Sequence, residues 1–268
     1  MLNDATPPST TLDAVDRVSP TRRPDDRVVM LQNWRHLLFL HWAVPIEELR
    51  PHVPPELEID TFNGLAFVGL VPFTMTGIRP LWAPAVPPIS NFHEVNVRTY
   101  VHHRGADPGV WFFSLDAASA FAVRIARAMW KLPYHLARMS LEREPEIAGR
   151  SSRIRYESAR IWTQPLRASC TVDYSPTGPV SPAENGSLEY FLAERYILYA
   201  RDGKNRLLIG QVHHLPYPLQ TATVHSLDEN LVLVAGIVRG NEQPLAHYAH
   251  GVDVEIFPLK PVVTEGRR

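Results

Sequence analysis

Asn91-Phe92-His93-Glu94-Val95-Asn96-Val97-Arg98-Thr99-Tyr100-Val101 reads as a single β-strand, with β-branched residues recurring at Val95, Val97, Thr99 and Val101. The same period of two sets Glu94, Asn96 and Arg98 together on the opposite face. A carboxylate, an amide and a guanidinium in one row can form a small-molecule site. A strand with one side in water shows the same alternation, so this stretch fixes a strand and leaves the use of its polar face open.

Working outward, Val110 to Leu115 is a second apolar strand, joined to the first across Arg104-Gly105-Ala106-Asp107-Pro108-Gly109. Upstream, Leu57 to Phe62 and Leu65 to Phe73 flank Asn63-Gly64, a preferred two-residue hairpin turn. Trp34 to Val44 is a further strand, followed by a short helix over Pro45 to Arg50 with Glu47 and Glu48 in its first turn. After Ala117 the period changes. Phe121, Ile125, Met129 and Leu132 fall at helical spacing with Arg124, Arg127 and Lys131 on another face, which predicts an amphipathic helix ended by Pro133.

Strands over Ile154 to Thr163 and Ala168 to Tyr174 follow, then a loop at Ser175-Pro176-Thr177-Gly178-Pro179 and a short helix over Ser187 to Glu194. Arg195 to Ala200 and Leu207 to His213 bracket the turn Asp202-Gly203-Lys204-Asn205, and Val252 to Phe257 is the last strand. The 25 prolines work against long helices. The fold class this predicts is α+β, mainly β, with a curled or barrel-like antiparallel sheet. Residues 1–27 are polar and broken by prolines and read as a flexible tail, 28–262 as one domain, and 263–268 as a C-terminal tail.

The formal net charge is -1 and the pI about 6.9, and no basic run interleaved with aromatics is present, so neither nucleic acid nor a membrane is an expected partner. Cys170 is the sole cysteine, which rules out an intrachain disulfide and multi-cysteine zinc sites. With no signal-peptide pattern in the N-terminal segment and no apolar run of about 18 residues, the expected location is the cytoplasm. The 12 histidines show no metal-binding spacing such as His-Glu-x-x-His, so no metal or cofactor is expected. Lys131, Lys204 and Lys260 are the only lysines, which confines any amine-based covalent chemistry to three positions.

Five further residues join the candidate list. Asp116 ends an apolar strand just before the helix, as a helix N-cap or as a ligand contact. Tyr134 and His135 follow Pro133 where the backbone turns, and both can move protons. Arg195 at the exit of the second helix can anchor an anion or complement the helix dipole. His213 and His214 point to opposite strand faces, which removes them as a metal pair and leaves His214 as a single contact.

Phe92-His93-Glu94, then Asp116, then Trp130-Lys131-Leu132-Pro133-Tyr134-His135-Leu136-Ala137 resemble the acetoacetate decarboxylase-like superfamily, whose pattern is aromatic-x-Glu, a later Asp, and Trp-Gly-Phe-Pro-Lys-Lys-Leu-Ala. From about Trp34 to Leu219 the chain is similar to the uncharacterised YqjF-like branch, through Asn96-Val97-Arg98-Thr99-Tyr100, Leu132-Pro133-Tyr134, Glu194-Arg195-Tyr196 and His214-x-Pro. The resemblance implies a cone-shaped antiparallel β-barrel with flanking helices and an internal pocket that Glu94 faces. It also exposes a departure: Tyr134 and His135 stand where the decarboxylases carry the lysine pair that forms the Schiff base, so imine chemistry is not expected.

The expectation is therefore a pocket for a small anionic metabolite, with Arg98, Asn96, Asp116, Arg195 and His214 binding it. In an enzyme, Glu94, Tyr134 and His135 would move protons on a small oxo acid in a non-redox lyase or isomerase step. The sequence leaves two alternatives standing: a binding protein without chemistry, and a polar plug that orders the barrel without a ligand. A homo-oligomer is compatible with either.

Overall fold

The computed structural model describes residues 15–145, 152–165 and 167–262. Its thirteen strands form one sheet. In chain order they are β1 (Met30–Val44), β2 (Glu58–Ile59), β3 (Ala66–Pro80), β4 (Phe92–His103), β5 (Ala106–Ala117), β6 (Tyr134–Arg143), β7 (Ile154–Trp162), β8 (Ser169–Ser181), β9 (Ile197–Arg201), β10 (Leu207–His213), β11 (Leu219–Glu229), β12 (Leu245–Ile256) and β13 (Lys260–Pro261). Helices are short: α1 (Ile46–Leu49), α2 (Pro87–Ser90), α3 (Ala120–Ile125), α4 (Leu188–Ala193) and α5 (Leu231–Val234).

The sheet closes on itself twice. Strands β12, β1, β3, β4 and β5 pair side by side as a shared wall, which β6-β7-β8-β11 closes into one ring and β9-β10 into another. Both closures are possible because two strands split an edge. β5 pairs with β9 at Val110 and Trp111 but with β6 at Leu115 to Ala117, and β12 pairs with β11 through Tyr248 and Ala249 but with β10 through Ile256. Closing the sheet removes edge strands and buries both faces of its wall.

Alternation along the wall then sorts side chains between the rings. Leu38, Leu40, Trp42, Val95 and Val97 pack with Tyr156, Cys170, Val172 and Tyr174 of β7 and β8 in a dense core. Leu37, Phe39, Val71, Phe73 and Leu115 face the other ring. A bulge in β1 at His36, which sits at φ 53°, resets the parity, so that Trp34 and Leu37 end on one side. Strand β4 is therefore buried on both faces, which overturns the reading in which Glu94, Asn96 and Arg98 look into water.

Other expectations need amendment. Asn63 and Gly64 form the turn, at φ 51° and 81°, with Phe62 bridged to Leu65, but the strand before it pairs with β4 rather than β3. The loop expected at 175–179 lies within β8, where Gly178 at φ 73° and a register shift against β11 let residues Pro176 and Pro179 remain in the strand. The single helix expected from Ala117 to Leu132 is shorter: α3 starts at Ala120 on a Ser119 cap, continues as a wide turn over Ala126–Trp130 and stops at Lys131, whose φ of 57° is left-handed. Of the segment read as an N-terminal tail, 1–14 lie outside the described residues. Residues 15–27 dock on the sheet: Pro20 is buried, Arg17 pairs with Asp60, and Gln211 donates to the Pro20 carbonyl at 2.9 Å. Residues 263–268 are also outside the described set.

Candidate functional site

Inside the ring closed by β9 and β10 lies a cavity of about 820 Å³, walled by Phe39, Val71, Phe73, Phe112, Leu115, Leu198, Val212 and Tyr217. Its polar floor is the row anticipated from the sequence. Glu94, Asn96 and Arg98 all line it, together with Tyr134, and their exposures are 1%, 4%, 8% and 8%.

Strand register sets the row. Asn96 lies opposite Leu115 on β5, and Leu115 in turn lies beside Tyr134 on β6. That brings the Tyr134 hydroxyl to Glu94, to whose Oε2 it donates at 2.7 Å, while the amide of Asn96 also bonds the carboxyl. Tyr156 holds the strand from the far side by donating to the Glu94 carbonyl at 2.8 Å. Burial raises the Glu94 pKa to about 8; the bonds from Tyr134 and Asn96 pull against that, and the nearby Asp116 charge adds to it. Glu94 is consequently an acid near neutral pH with a poised proton. Burial and the adjacent Glu94 hold Tyr134 well above its ordinary range, so it remains a donor.

Arg98 is held differently. One Nη donates to the Leu192 carbonyl at 3.2 Å, an acceptor shared with Tyr100 at 2.8 Å, and the guanidinium lies over the rings of Phe39 and Tyr100 at 5.6 and 5.7 Å. Among the described residues no carboxylate pairs with it, its Nε lacks a partner, and so does Asn96 Oδ1. A buried cation without a counterion beside an empty volume is free to receive an anion. The burial of His41 and the Arg98 charge beside it keep that imidazole neutral, and His41 meets the Tyr100 hydroxyl at 2.6 Å.

The remaining candidates do not join this group. Asp116 faces the dense core, where it receives Arg160 at 2.6 Å with both side chains 1% exposed; the helix is capped by Ser119 instead, and Asp116 does not line the cavity. Arg195 pairs with Asp60 at 2.8 Å and stacks on Phe191 at 4.3 Å, away from the cavity lining. His214 is wedged between Tyr196 and Tyr217 at 4.4 and 4.5 Å and supports the wall from behind. His135 alternates away from Tyr134 into a separate cleft of about 620 Å³, where burial and then Arg160 and Arg127 lower its pKa to about 4. Phe39, Phe112 and Tyr217 were absent from the sequence reading because an apolar wall residue and a core residue carry the same pattern.

Three comparisons fit this geometry. Residues 31–253 match the model of DUF2071, described as an uncharacterized conserved protein. The chain belongs to the DUF2071 family. The uncharacterized protein YqjF of Bacillus subtilis is 38% identical over 237 residues, covering 88% of this chain and 94% of that protein. Among solved structures, the enduracididine biosynthesis enzyme MppR complexed with pyruvate superposes with a TM-score of 0.61 at 10% identity, covering 90% of this chain and 93% of that one. An acetoacetate decarboxylase-like enzyme from Sphingomonas wittichii RW1 gives 0.61 at 12% identity, with coverages of 89% and 94%. The acetoacetate decarboxylase of Legionella pneumophila gives 0.58 at 12%, with coverages of 96% and 98%. This DUF2071 chain thus has the acetoacetate decarboxylase-like fold, as the resemblance implied.

None of its three lysines lines the large cavity, and Lys131 lies at the cleft with His135. Among the described residues no helix is long and apolar enough to cross a membrane, and no group of three or more His, Cys, Asp or Glu is arranged to hold a metal.

Proposed function

We propose that the cavity binds a carboxylate metabolite of the oxo-acid class through Arg98, and that Glu94 with Tyr134 moves a proton on it in a non-redox lyase or isomerase step without a Schiff base. The observation that carries this reading is the unpaired guanidinium of Arg98 in the cavity wall, in one row with a protonated carboxyl. The pyruvate bound to a relative of the same fold supports the ligand class.

The step uses the carboxylate that Glu94 yields as pH rises toward about 8: this minor form at neutral pH takes a proton from the carbon next to the substrate carbonyl, and the C–H electrons move onto the carbonyl oxygen as an enolate. Tyr134 then donates its hydrogen bond to that oxygen. Return of the Glu94 proton to a different atom completes an isomerisation; loss of a leaving group from the enolate completes a lyase step.

The test is proton exchange in heavy water. 9-Oxodecanoate, whose carbonyl can lie beside Glu94 while its carboxylate is on Arg98, should exchange the protons next to that carbonyl faster than in buffer, the acceleration should vanish in Glu94→Gln, and binding measured by calorimetry should vanish in Arg98→Met. Binding without exchange in the native protein would point to the second reading, a metabolite-binding protein. The hydrogen bonds already completed between Glu94, Tyr134 and Asn96 without a ligand favour that reading.

A further inference from the structure

The large cavity has a direction. Arg98 lies four residues beyond Glu94 on β4, about 13 Å along a strand. Its guanidinium reaches still further on, to the Leu192 carbonyl it shares with Tyr100. Past Glu94, the lining runs on to the segment before α2 and to α3 with its following turn. Large apolar side chains there are left in solvent: Trp82 is 84% exposed, Met129 65% and Phe121 52%.

These residues do not pack on the core. The helical spacing of Phe121, Ile125, Met129 and Leu132 predicted an amphipathic helix, and the structure sets all four on the lining of the cavity. A rim of exposed aromatic and thioether groups continuous with a buried volume marks a site for an apolar ligand body. A three-carbon oxo acid is far shorter than the distance from Arg98 to this rim.

Resting on the reading of Arg98 as a carboxylate anchor, we infer that the ligand is an amphiphilic acid. Its carboxylate enters first to Arg98, its middle passes Glu94, and an apolar chain or ring emerges between Trp82 and Met129. Charge complementarity at the inner end and apolar complementarity at the outer end commit the occupant to this chemistry.

A series of straight-chain 2-oxo acids from pyruvate to 2-oxohexadecanoate, used below their aggregation concentrations, tests it by calorimetry. Affinity should rise about three- to fourfold per methylene until the chain leaves the rim. Trp82→Ser combined with Met129→Ser should remove that gain for the long acids and leave pyruvate binding unchanged. Both positions are on the surface, so folding is not at stake. 1-Octanol should bind far more weakly than 2-oxooctanoate, and Arg98→Met should erase that difference.

Short acids that bind with no gain from chain length would overturn the amphiphile and leave the carboxylate site intact. If no acid of any length binds, the anchor itself fails. Equal binding of octanol and the acid would also overturn the proposal, as would a dimer that dissociates in Trp82→Ser, since a second copy would then cover the rim.

Discussion

The Tyr134 hydroxyl donates to Glu94 Oε2 at 2.7 Å across two strands that the chain separates by 40 positions. Only the parallel pairing of β5 with β6 allows this contact, because it sets Tyr134 beside Leu115 and Leu115 beside Asn96. The Tyr134 hydroxyl is thereby a neutral donor locked onto a buried acid.

The Glu94 proton makes stability depend on pH in a definite direction. Glu94 keeps its proton up to about pH 8, against an ordinary value of 4.5. Between those values the unfolded chain has released the proton and the folded protein has not, so stability is intact below 4.5 and falls as pH rises through the window. Glu94→Gln keeps the shape and the Tyr134 bond without a charge. Denaturant titrations from about pH 5 to about pH 9 should show the variant gaining on the native protein by up to a few kcal/mol; a constant difference would rule this out.

Tyr134→Phe removes the strongest of the bonds that hold the Glu94 pKa down. The carboxyl should then titrate at still higher pH, seen as an upward shift in the midpoint of its infrared carbonyl band, and the fold should lose about 1 kcal/mol. A downward shift would show that desolvation does not dominate at Glu94.

The row itself was legible because a period of two needs no knowledge of the fold. Its surroundings were not, since closing the sheet depends on pairings far apart in the chain. On both faces of β4 the sequence pattern is that of a strand half in water, yet the polar face looks into a cavity. Asp116 looked like an N-cap because a helix follows, but its partner Arg160 is 44 residues away and no local pattern points to it. The stripe at Phe121, Ile125 and Met129 shows the period of a helix, but spacing alone does not tell a core from a cavity rim. Trp82 carried a weak signal, a large aromatic inside the proline-rich run Pro80-Leu81-Trp82-Ala83-Pro84 where no core residue is required.

Asp116→Asn separates the structural acid from the site acid. It leaves the Arg160 guanidinium buried without a counterion, and urea unfolding should show a loss of about 3 to 5 kcal/mol. The same change removes a negative charge that raises the Glu94 pKa, so the Glu94 titration should move down while the Tyr134 bond stays in place. A stable variant with an unmoved Glu94 titration would mean that the Asp116–Arg160 pair is not closed in solution.

Gly69 lies behind the Arg98 end of the cavity without lining it. It lies opposite Arg98 in the β3–β4 register, and a methyl placed there would sit 3.0 Å from His41 Cδ2, 3.1 Å from its Nε2 and 3.4 Å from the Tyr100 hydroxyl. The imidazole cannot retreat, because Phe39 stacks near it on the same strand and it is 1% exposed. Gly69→Ala should therefore push His41 off Tyr100, and Tyr100 off the Leu192 carbonyl that also holds Arg98. The expected result is a loss of about 1 to 3 kcal/mol in stability. Oxo-acid affinity should weaken while the Glu94 titration, at the other end of the row, stays unchanged. If affinity holds while stability falls, Arg98 keeps its orientation independently of the His41–Tyr100 pair, and Phe39 beneath the guanidinium is what positions it.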